Sequence, residues 1–291
     1  MKNICFYYQV WHTNKRSTYE ALKRLRKVHP DDELILVIAG LSQNEIETYN
    51  EEYTEKLKKT FNITTTDYIT IEEFPQMSGN SLRITENENR DAWYDFSILW
   101  MDKMIELPSE KTDILVACSD DWMIMEKIPF NYDVDASGMM GVIESWMNEE
   151  SIKKHFPHLQ NLDKFIWWPA YGHYMNFKKF KQGYNDESKK YMKDFIVNNY
   201  SPNVGMFTDF VCGIWILYLL GTNLTNNSYI LQYDAAAHVV AKYGGRLEGD
   251  EQYVDEYPED IYQKIPYVSL HSYKTFRNTP ISDEMKLLGI K

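Results

Sequence analysis

Two adjacent carboxylates, Asp120 and Asp121, follow directly on an apolar run in the segment DILVACSDDW, residues 113–122. Two like charges at the end of a buried strand repel each other unless a cation, water or a strong hydrogen-bond donor offsets them. Hard cations such as Mg²⁺ and Mn²⁺ bind carboxylate oxygens and share their remaining positions with water and phosphate oxygens. The pair is therefore a candidate metal site, and the alternative is a solvated turn at a strand end.

Two further side chains are of types that catalysis and metal coordination use. Asp209 stands at the start of an apolar segment, where a carboxylate is either a helix cap or a general base. His271 lies near the end of the chain in SLHSYKT, where a lone histidine is either structural or a metal ligand. His238 is the alternative histidine, but the surrounding DAAAHVVAKY is typical of a continuous packed segment.

The segment WWPAYGHY, residues 167–174, concentrates aromatic side chains beside proline and glycine. Sugars present apolar C–H faces that stack on aromatic rings, so exposed tryptophans here would suit a glycan. Burial in a hydrophobic core is the alternative for the same residues.

The elements that must position these residues alternate regularly over the first 120 residues. Apolar runs predict strands at 4–10, 33–40, 67–74 and 113–119. Helices are predicted from Ser17 to His29, after Ser42 and from Glu88 to Leu107, and capping-box spacing marks the first two starts. This order predicts a mostly parallel sheet with helices on both faces, which binds ligands at the carboxyl ends of its strands. The carboxylate pair lies at that edge.

The second half of the chain is less regular. Residues 137–146 and the second half of 165–180 read as strands, and the apolar run 210–220 reads as a buried helix about half as long as a membrane span requires. No repeat or linker divides the chain. We expect one domain over 1–291, with a nucleotide-binding half at 1–125 and an irregular acceptor-binding half and tail at 126–291.

Composition limits the partners. A net charge of −12 and a pI near 5.1 oppose general attraction to nucleic acid or to an anionic membrane, while a small anionic ligand with a metal remains compatible. Three cysteines without zinc-type spacing and an opening strand in place of a signal peptide predict a reduced, cytoplasmic protein.

The fourth buried strand, ending in Ser-Asp-Asp near the middle of the chain, resembles the metal-binding motif of family 2-like GT-A glycosyltransferases, usually written Asp-x-Asp. Aligned on the pair, CSDD at 118–121 puts Asp120 on the metal-binding aspartate. Cys118 falls where the family often has a first aspartate near the ribose, and this departure weakens the predicted ribose contact.

The resemblance implies a role for each candidate residue, with a Rossmann-like GT-A fold and Mn²⁺ or Mg²⁺ as cofactor. The implied metal ligands are Asp120, Asp121 and His271. The implied nucleotide-sugar contacts are Tyr8, Gln9, Val10, Arg83, Cys118, Asp120 and Lys274, with Arg90 as the alternative to Arg83. The implied acceptor contacts are Trp167, Trp168, Tyr171 and His173.

The implied reaction is transfer of a hexosyl or pentosyl group from a nucleotide-sugar to a glycan or glycoprotein hydroxyl. UDP-sugars are the default donors by family frequency, and Asp209 as general base implies inversion at the sugar carbon. A nucleotidyltransferase of related fold is one alternative, although YYQVWHTNKR lacks the glycine-rich loop of that class. A non-catalytic glycan-binding protein is the other alternative. Metal-dependent nucleotide binding distinguishes it from the enzyme, because a glycan-binding protein should bind sugar without UDP.

Overall fold

A computed structural model describes residues 2–75, 90–120, 122–124, 127–128, 130, 135–137, 154, 173–199, 208–220, 246–248, 251–253, 267–269 and 281–290. Its strands are β1 (Ile4–Trp11), β2 (Glu33–Leu41), β3 (Thr65–Thr70), β4 (Ile114–Ser119), β5 (Trp122–Ile124), β6 (Ala136–Ser137), β7 (His173–Asn176), β8 (Arg246–Glu248), β9 (Glu251–Tyr253) and β10 (Tyr267–Ser269). Its helices are α1 (Lys15–Val28), α2 (Gln43–Tyr49), α3 (Glu55–Phe61), α4 (Arg90–Glu106), α5 (Phe177–Gly183), α6 (Asp186–Asn199), α7 (Thr208–Leu220) and α8 (Asp283–Leu287). A π-helical stretch, Asn50–Thr54, joins α2 to α3.

The central sheet of the described residues has six strands in the order β3-β2-β1-β4-β7-β6. The first four strands in this order are parallel to one another, and β7 runs antiparallel to both β4 and β6. Two small antiparallel pairs, β5 with β10 and β8 with β9, accompany the sheet. The predicted α/β arrangement with a mostly parallel sheet is therefore confirmed.

Alternation along β1 and β4 builds a core on each face of the sheet, because successive side chains of a strand point to opposite faces. Phe6, Tyr8 and Cys118 pack on one face with α1, α3 and α8. Tyr7 and Leu115 pack on the other face with α4, α6 and α7. Both faces of the central strands are covered, which explains why these strands read as continuous apolar runs.

Two predicted boundaries at the amino end of the chain need correction. Strand β3 runs from Thr65 to Thr70 rather than over 67–74. Helix α1 begins at Lys15 after Asn14, rather than at Ser17, and the Ser17 hydroxyl donates to the Asn14 carbonyl at 3.0 Å. The second predicted capping box is confirmed, because the Glu45 carboxylate accepts from both the backbone N–H (2.8 Å) and the hydroxyl (2.7 Å) of Ser42.

The second half of the chain departs further from prediction. The strand predicted at 137–146 is described only at its start, as β6, and residues 138–146 lie outside the described part. The alternating segment up to Phe180 is not one strand: β7 ends at Asn176 and α5 follows. The Asn176 side chain accepts from the Lys179 N–H, so it caps a helix at the point where pairing with β4 ends.

The apolar run at 210–220 forms the predicted helix, α7, whose Val211, Ile214 and Trp215 are buried. None of the helices in the part of the chain that the structure describes is long and apolar enough to cross a membrane.

Candidate active site

The carboxyl ends of β1 and β4 lie side by side. Gln9 pairs with Ser119 at the end of the ladder, and the Asp120 backbone N–H donates to the Gln9 carbonyl at 3.0 Å. Asp120 is therefore the first residue beyond β4 and lies against the end of β1, as predicted from the apolar run that precedes it.

The Asp120 carboxylate is buried, with 7% of the residue exposed. Its Oδ2 atom accepts two hydrogen bonds, one from the Trp11 backbone N–H at 2.9 Å and one from the Asn14 side-chain amide at 2.8 Å. Hydrogen bonds to the charged form of a carboxylate offset the cost of burying it. Strong donors from the loop after β1 therefore stabilise the buried charge.

Two tyrosines of the α2–α3 region support the same loop. The Tyr49 hydroxyl donates to the His12 carbonyl at 2.9 Å, and the Tyr53 hydroxyl donates to the Lys15 carbonyl at 3.3 Å. The Lys15 ammonium lies 4.7 Å and 4.8 Å from the centroids of these two rings. Burial, with a further contribution from the Asp120 charge, raises the pKa of both phenols well above the usual value, so both remain donors at neutral pH. Lys15 is thus packed against both tyrosine rings beside this loop.

His12 and Trp11 close over the end of β2 at Gly40. The Nδ1–H of His12 donates to the Ala39 carbonyl at 3.2 Å, and burial lowers the pKa of His12 below its usual value. Gly40 has φ +93°, and a Cβ there would lie 2.6 Å from the Trp11 ring and 2.7 Å from His12 Nδ1. Glycine is required at this position for both conformation and space.

Several residues predicted to contact the nucleotide belong to the core instead. The side chains of Tyr8, Val10 and Cys118 lie in the core beneath α1, and Tyr8 and Cys118 have no exposed surface. Burial also raises the pKa of the Cys118 thiol. Strand alternation is the physical reason, because these residues face the helices rather than the sheet edge. Gln9 is also buried, and its carbonyl accepts the backbone bond from Asp120.

Many predicted site residues lie outside the part of the chain that the structure describes. These are Arg83, Asp121, Trp167, Trp168, Tyr171, His271, Lys274 and the alternative His238. Arg90, His173 and Asp209 are described in the backbone, within α4, β7 and α7 respectively. No group of three or more His, Cys, Asp or Glu among the described residues could hold a metal ion.

The predicted acceptor segment leads to the same sheet edge as Asp120. His173 opens β7 and pairs with Ala117, close to the carboxyl end of β4. Residues 167–171 precede β7 closely in the sequence. The antiparallel direction of β7 therefore brings the chain into the sheet at the carboxyl edge.

Helix packing locates the last turn of α7 relative to the sheet. Because α4 connects parallel strands β3 and β4, its last turn lies towards the amino edge of the sheet. Helix α6 runs antiparallel to α4, since Lys189 Nζ contacts Asp102 at 2.6 Å and Lys193 Nζ contacts Asp95 at 2.8 Å. The start of α6 therefore also lies towards the amino edge.

The last turn of α7 packs beside the start of α6. The Tyr218 ring stacks on Tyr191 with centroids 5.3 Å apart, and a Cβ on Gly183 would lie 2.7 Å from a Leu219 methyl group. A helix of 13 residues is about 20 Å long. Asp209 is in the first turn of α7, at the opposite end of the helix from these contacts.

The pairing of β5 with β10 could not be anticipated from sequence. Ser269 pairs with Trp122, Val268 with Met123 and Tyr267 with Ile124. Strand β5 begins at Trp122, the residue that directly follows Asp121, and β10 ends at Ser269, two residues before His271. Strands of three residues show too little alternation to be recognised, so no sequence signal linked these segments.

Comparison with solved structures identifies the fold of the chain. No family model matches the chain, and no curated protein is similar to it in sequence. The galactosyltransferase LgtC, solved in complex with donor and acceptor sugar analogs, matches with a TM-score of 0.52 and 13% identity over 98% of this chain and 95% of LgtC. The structure of an active-site mutant of LgtC matches with the same TM-score and identity over 98% of this chain and 99% of LgtC. This likeness confirms the predicted fold: the chain has the GT-A-type, Rossmann-like α/β fold of these glycosyltransferases.

Proposed function

We propose that this protein is a metal-dependent glycosyltransferase that moves a sugar from a nucleotide-sugar, with UDP-sugars as the first candidates, to a hydroxyl of a glycan acceptor. A fold alone does not define a function, so the site must carry the proposal. The observation that carries it is the buried Asp120 carboxylate at the carboxyl edge of β4, where sheets of this kind bind ligands.

The metal ligands in this proposal are Asp120, Asp121 and His271. The ladder between β5 and β10 supports this set, because Ser269 lies opposite Trp122. Two residues of chain span at most about 7 Å, which limits how far His271 lies from Ser269. Two carboxylates and an imidazole are suitable ligands for Mn²⁺, and carboxylates for Mg²⁺. When bound, the metal would offset the negative charge that develops on the departing nucleoside diphosphate.

The nucleotide is proposed to bind along the loop after β1, within the half formed by residues 1–125. Trp11 and His12 are only partly buried there, in contrast to Tyr8, Val10 and Cys118. They therefore replace those three side chains as the proposed contacts of the base and ribose. Arg83 and Lys274 remain the proposed cationic contacts of the diphosphate.

The acceptor is proposed to bind in the half formed by residues 126–291, next to Trp167, Trp168, Tyr171 and His173. The start of β7 at the carboxyl edge supports this location. Asp209 is the proposed general base, and its place in the first turn of α7, at the opposite end from the turn that packs beside the start of α6, is compatible with this assignment. A base on the face opposite the leaving group gives a product of inverted configuration.

The test is calorimetric titration of UDP, with GDP for comparison, in the presence and absence of Mn²⁺. Wild type is compared with Asp120→Asn and with Asp113→Asn, a matched control at the amino end of the same strand. Asp113 accepts from the Asn3 N–H and from Lys178, both at that opposite edge. The proposal predicts UDP binding that requires Mn²⁺, is lost in Asp120→Asn and is retained in Asp113→Asn.

The other outcomes favour the alternative functions. Sugar binding without any nucleotide requirement would favour a non-catalytic glycan-binding protein. Metal-dependent binding of a nucleoside triphosphate, with no UDP binding, would favour a nucleotidyltransferase. Either result would overturn the glycosyltransferase proposal.

A further inference from the structure

Asn14 occupies the N-cap position of α1 without capping the helix. Its side chain makes no hydrogen bond to the first turn of α1. In contrast, the N-cap side chains of Asn176 and Ser282 accept from Lys179 N–H and Met285 N–H, in the usual manner. An N-cap bond stabilises many helices, and α1 lacks this source of stability.

The Asn14 amide is instead directed at Asp120. It donates to Asp120 Oδ2 at 2.8 Å, and the Trp11 N–H donates to the same oxygen at 2.9 Å. Two charge-assisted donors from the β1–α1 turn converge on one oxygen and so favour one orientation of the carboxylate.

The backbone of Asn14 is held firmly enough to serve as a support. Its N–H donates to the Trp11 carbonyl at 2.8 Å. Its carbonyl accepts from the Thr18 N–H at 3.0 Å, the Thr18 hydroxyl at 2.7 Å and the Ser17 hydroxyl at 3.0 Å. The backbone of Asn14 is therefore hydrogen-bonded on both sides, to the end of β1 and to the first turn of α1.

We propose that Asn14 is a positioning residue that aims the Asp120 carboxylate and couples the nucleotide-binding loop to the metal site. This inference rests on the proposed function. Polar partners that orient a metal-binding carboxylate typically contribute about 10- to 100-fold to metal affinity. Because the same turn holds Trp11 and His12, a shift of Asn14 also changes the surface proposed to bind the nucleotide.

Substitution of Asn14 separates positioning from helix stability. Serine and aspartate are good N-cap residues, so Asn14→Ser and Asn14→Asp allow α1 to be capped while removing the amide donor. Asn14→Asp also places a second carboxylate beside Asp120, and like charges at this distance repel. A purely structural role for Asn14 predicts wild-type Mn²⁺ affinity in any variant that is fully folded at the assay temperature, whereas positioning predicts that a fully folded variant binds Mn²⁺ more weakly.

The experiment measures Mn²⁺ affinity by electron paramagnetic resonance, UDP affinity at saturating Mn²⁺ by calorimetry, and melting temperature. We expect both Asn14 variants to remain folded at the assay temperature and to bind Mn²⁺ about 10- to 100-fold more weakly than wild type. The melting temperature of Asn14→Ser should stay closer to that of wild type than the melting temperature of Asn14→Asp, whose second carboxylate repels Asp120. Asn176→Ala is the matched control, because it removes a true N-cap at the amino edge of the sheet. It should lower the melting temperature without changing Mn²⁺ affinity.

The failures of the two proposals are distinguishable. Wild type that binds neither Mn²⁺ nor UDP overturns the proposed function and this inference together. Wild type that binds both, with folded Asn14 variants that bind Mn²⁺ within twofold of wild type, overturns the positioning role alone.

Discussion

Ser269 of β10 pairs with Trp122 of β5 in an antiparallel ladder. Asp121 immediately precedes Trp122, and His271 follows Ser269 by two residues. Antiparallel pairing therefore joins the segment after the candidate metal-binding motif to the segment before the candidate histidine, although the two are far apart in sequence. This backbone relationship favours His271, rather than His238, as the proposed third metal ligand.

Replacement of His271 by alanine should weaken Mn²⁺-dependent UDP binding at least about tenfold, which corresponds to about 1.4 kcal/mol. The physical reason is the loss of the proposed imidazole ligand, which water would replace without a fixed geometry. Calorimetry with and without Mn²⁺ measures the effect. His238→Ala is the control and should bind as wild type does; a loss confined to His238→Ala would reverse the assignment.

Replacement of Asp209 by asparagine should lower kcat by about 10²- to 10⁴-fold with little change in the donor KM, because a general base acts in the transition state. Steady-state UDP release with a saturating acceptor measures both constants. Asp186→Asn, in the first turn of α6 at the opposite edge, is the matched control and should leave kcat unchanged.

The stereochemistry of the product tests the same assignment independently. If Asp209 activates the acceptor hydroxyl, nuclear magnetic resonance of the first product should show an anomeric configuration opposite to that of the donor. Retention of configuration would remove the role of Asp209 as a general base, even if Asp209→Asn were inactive.

Sequence reasoning succeeded where one periodicity dominates. The buried runs of β1, β2 and β4 and the long helix α4 follow from apolar patterns, and their order gives the parallel sheet and the edge where Asp120 lies. Parallel strands share one carboxyl edge, and this is why the sequence identifies Asp120 as a candidate site residue.

Sequence reasoning failed where tertiary contacts decide. The faces occupied by Tyr8 and Cys118 depend on strand register, and a shift of one residue would exchange the two faces. Ser17 and Glu20 have capping-box spacing, but Asn14 starts α1 three residues earlier because its turn is tied to Asp120. No local pattern encodes a contact between residues so distant in sequence.

Introduction of the missing family aspartate, Cys118→Asp, should destabilise the protein by about 3 kcal/mol or more rather than create a ribose contact. Cys118 is fully buried against Tyr8 and the apolar core, where an unpaired carboxylate is costly. Urea unfolding measures the change. Cys118→Ala, which removes volume without adding charge, should cost about 1 kcal/mol. A stable Cys118→Asp variant with tighter UDP binding would show that this side chain reaches the ligand.

The capping box of α2 should make stability depend on pH through Glu45. The Glu45 carboxylate accepts hydrogen bonds from the hydroxyl and from the backbone N–H of Ser42. These two bonds, the one from the hydroxyl most of all, lower the pKa of Glu45 below the usual value of 4.5. A folded-state pKa below the unfolded value stabilises the protein above the unfolded pKa, and that stability is lost as pH falls through the folded value. Helix α2 ends at Tyr49, whose hydroxyl supports the His12 carbonyl, so the box also contributes to the loop beside Asp120.

Replacement of Ser42 by alanine should therefore lower the free energy of unfolding by about 1 kcal/mol at pH 7. Glu45→Ala should be less stable than wild type at pH 7, and the difference should shrink as pH falls below 4.5, where the wild-type carboxylate takes up its proton. Urea unfolding at pH 7, 5, 4 and 3 measures this convergence. Glu47→Ala, an exposed position on the same helix, serves as the control. If the difference in free energy of unfolding between wild type and Glu45→Ala stays constant over this pH range, the carboxylate charge contributes nothing to the cap.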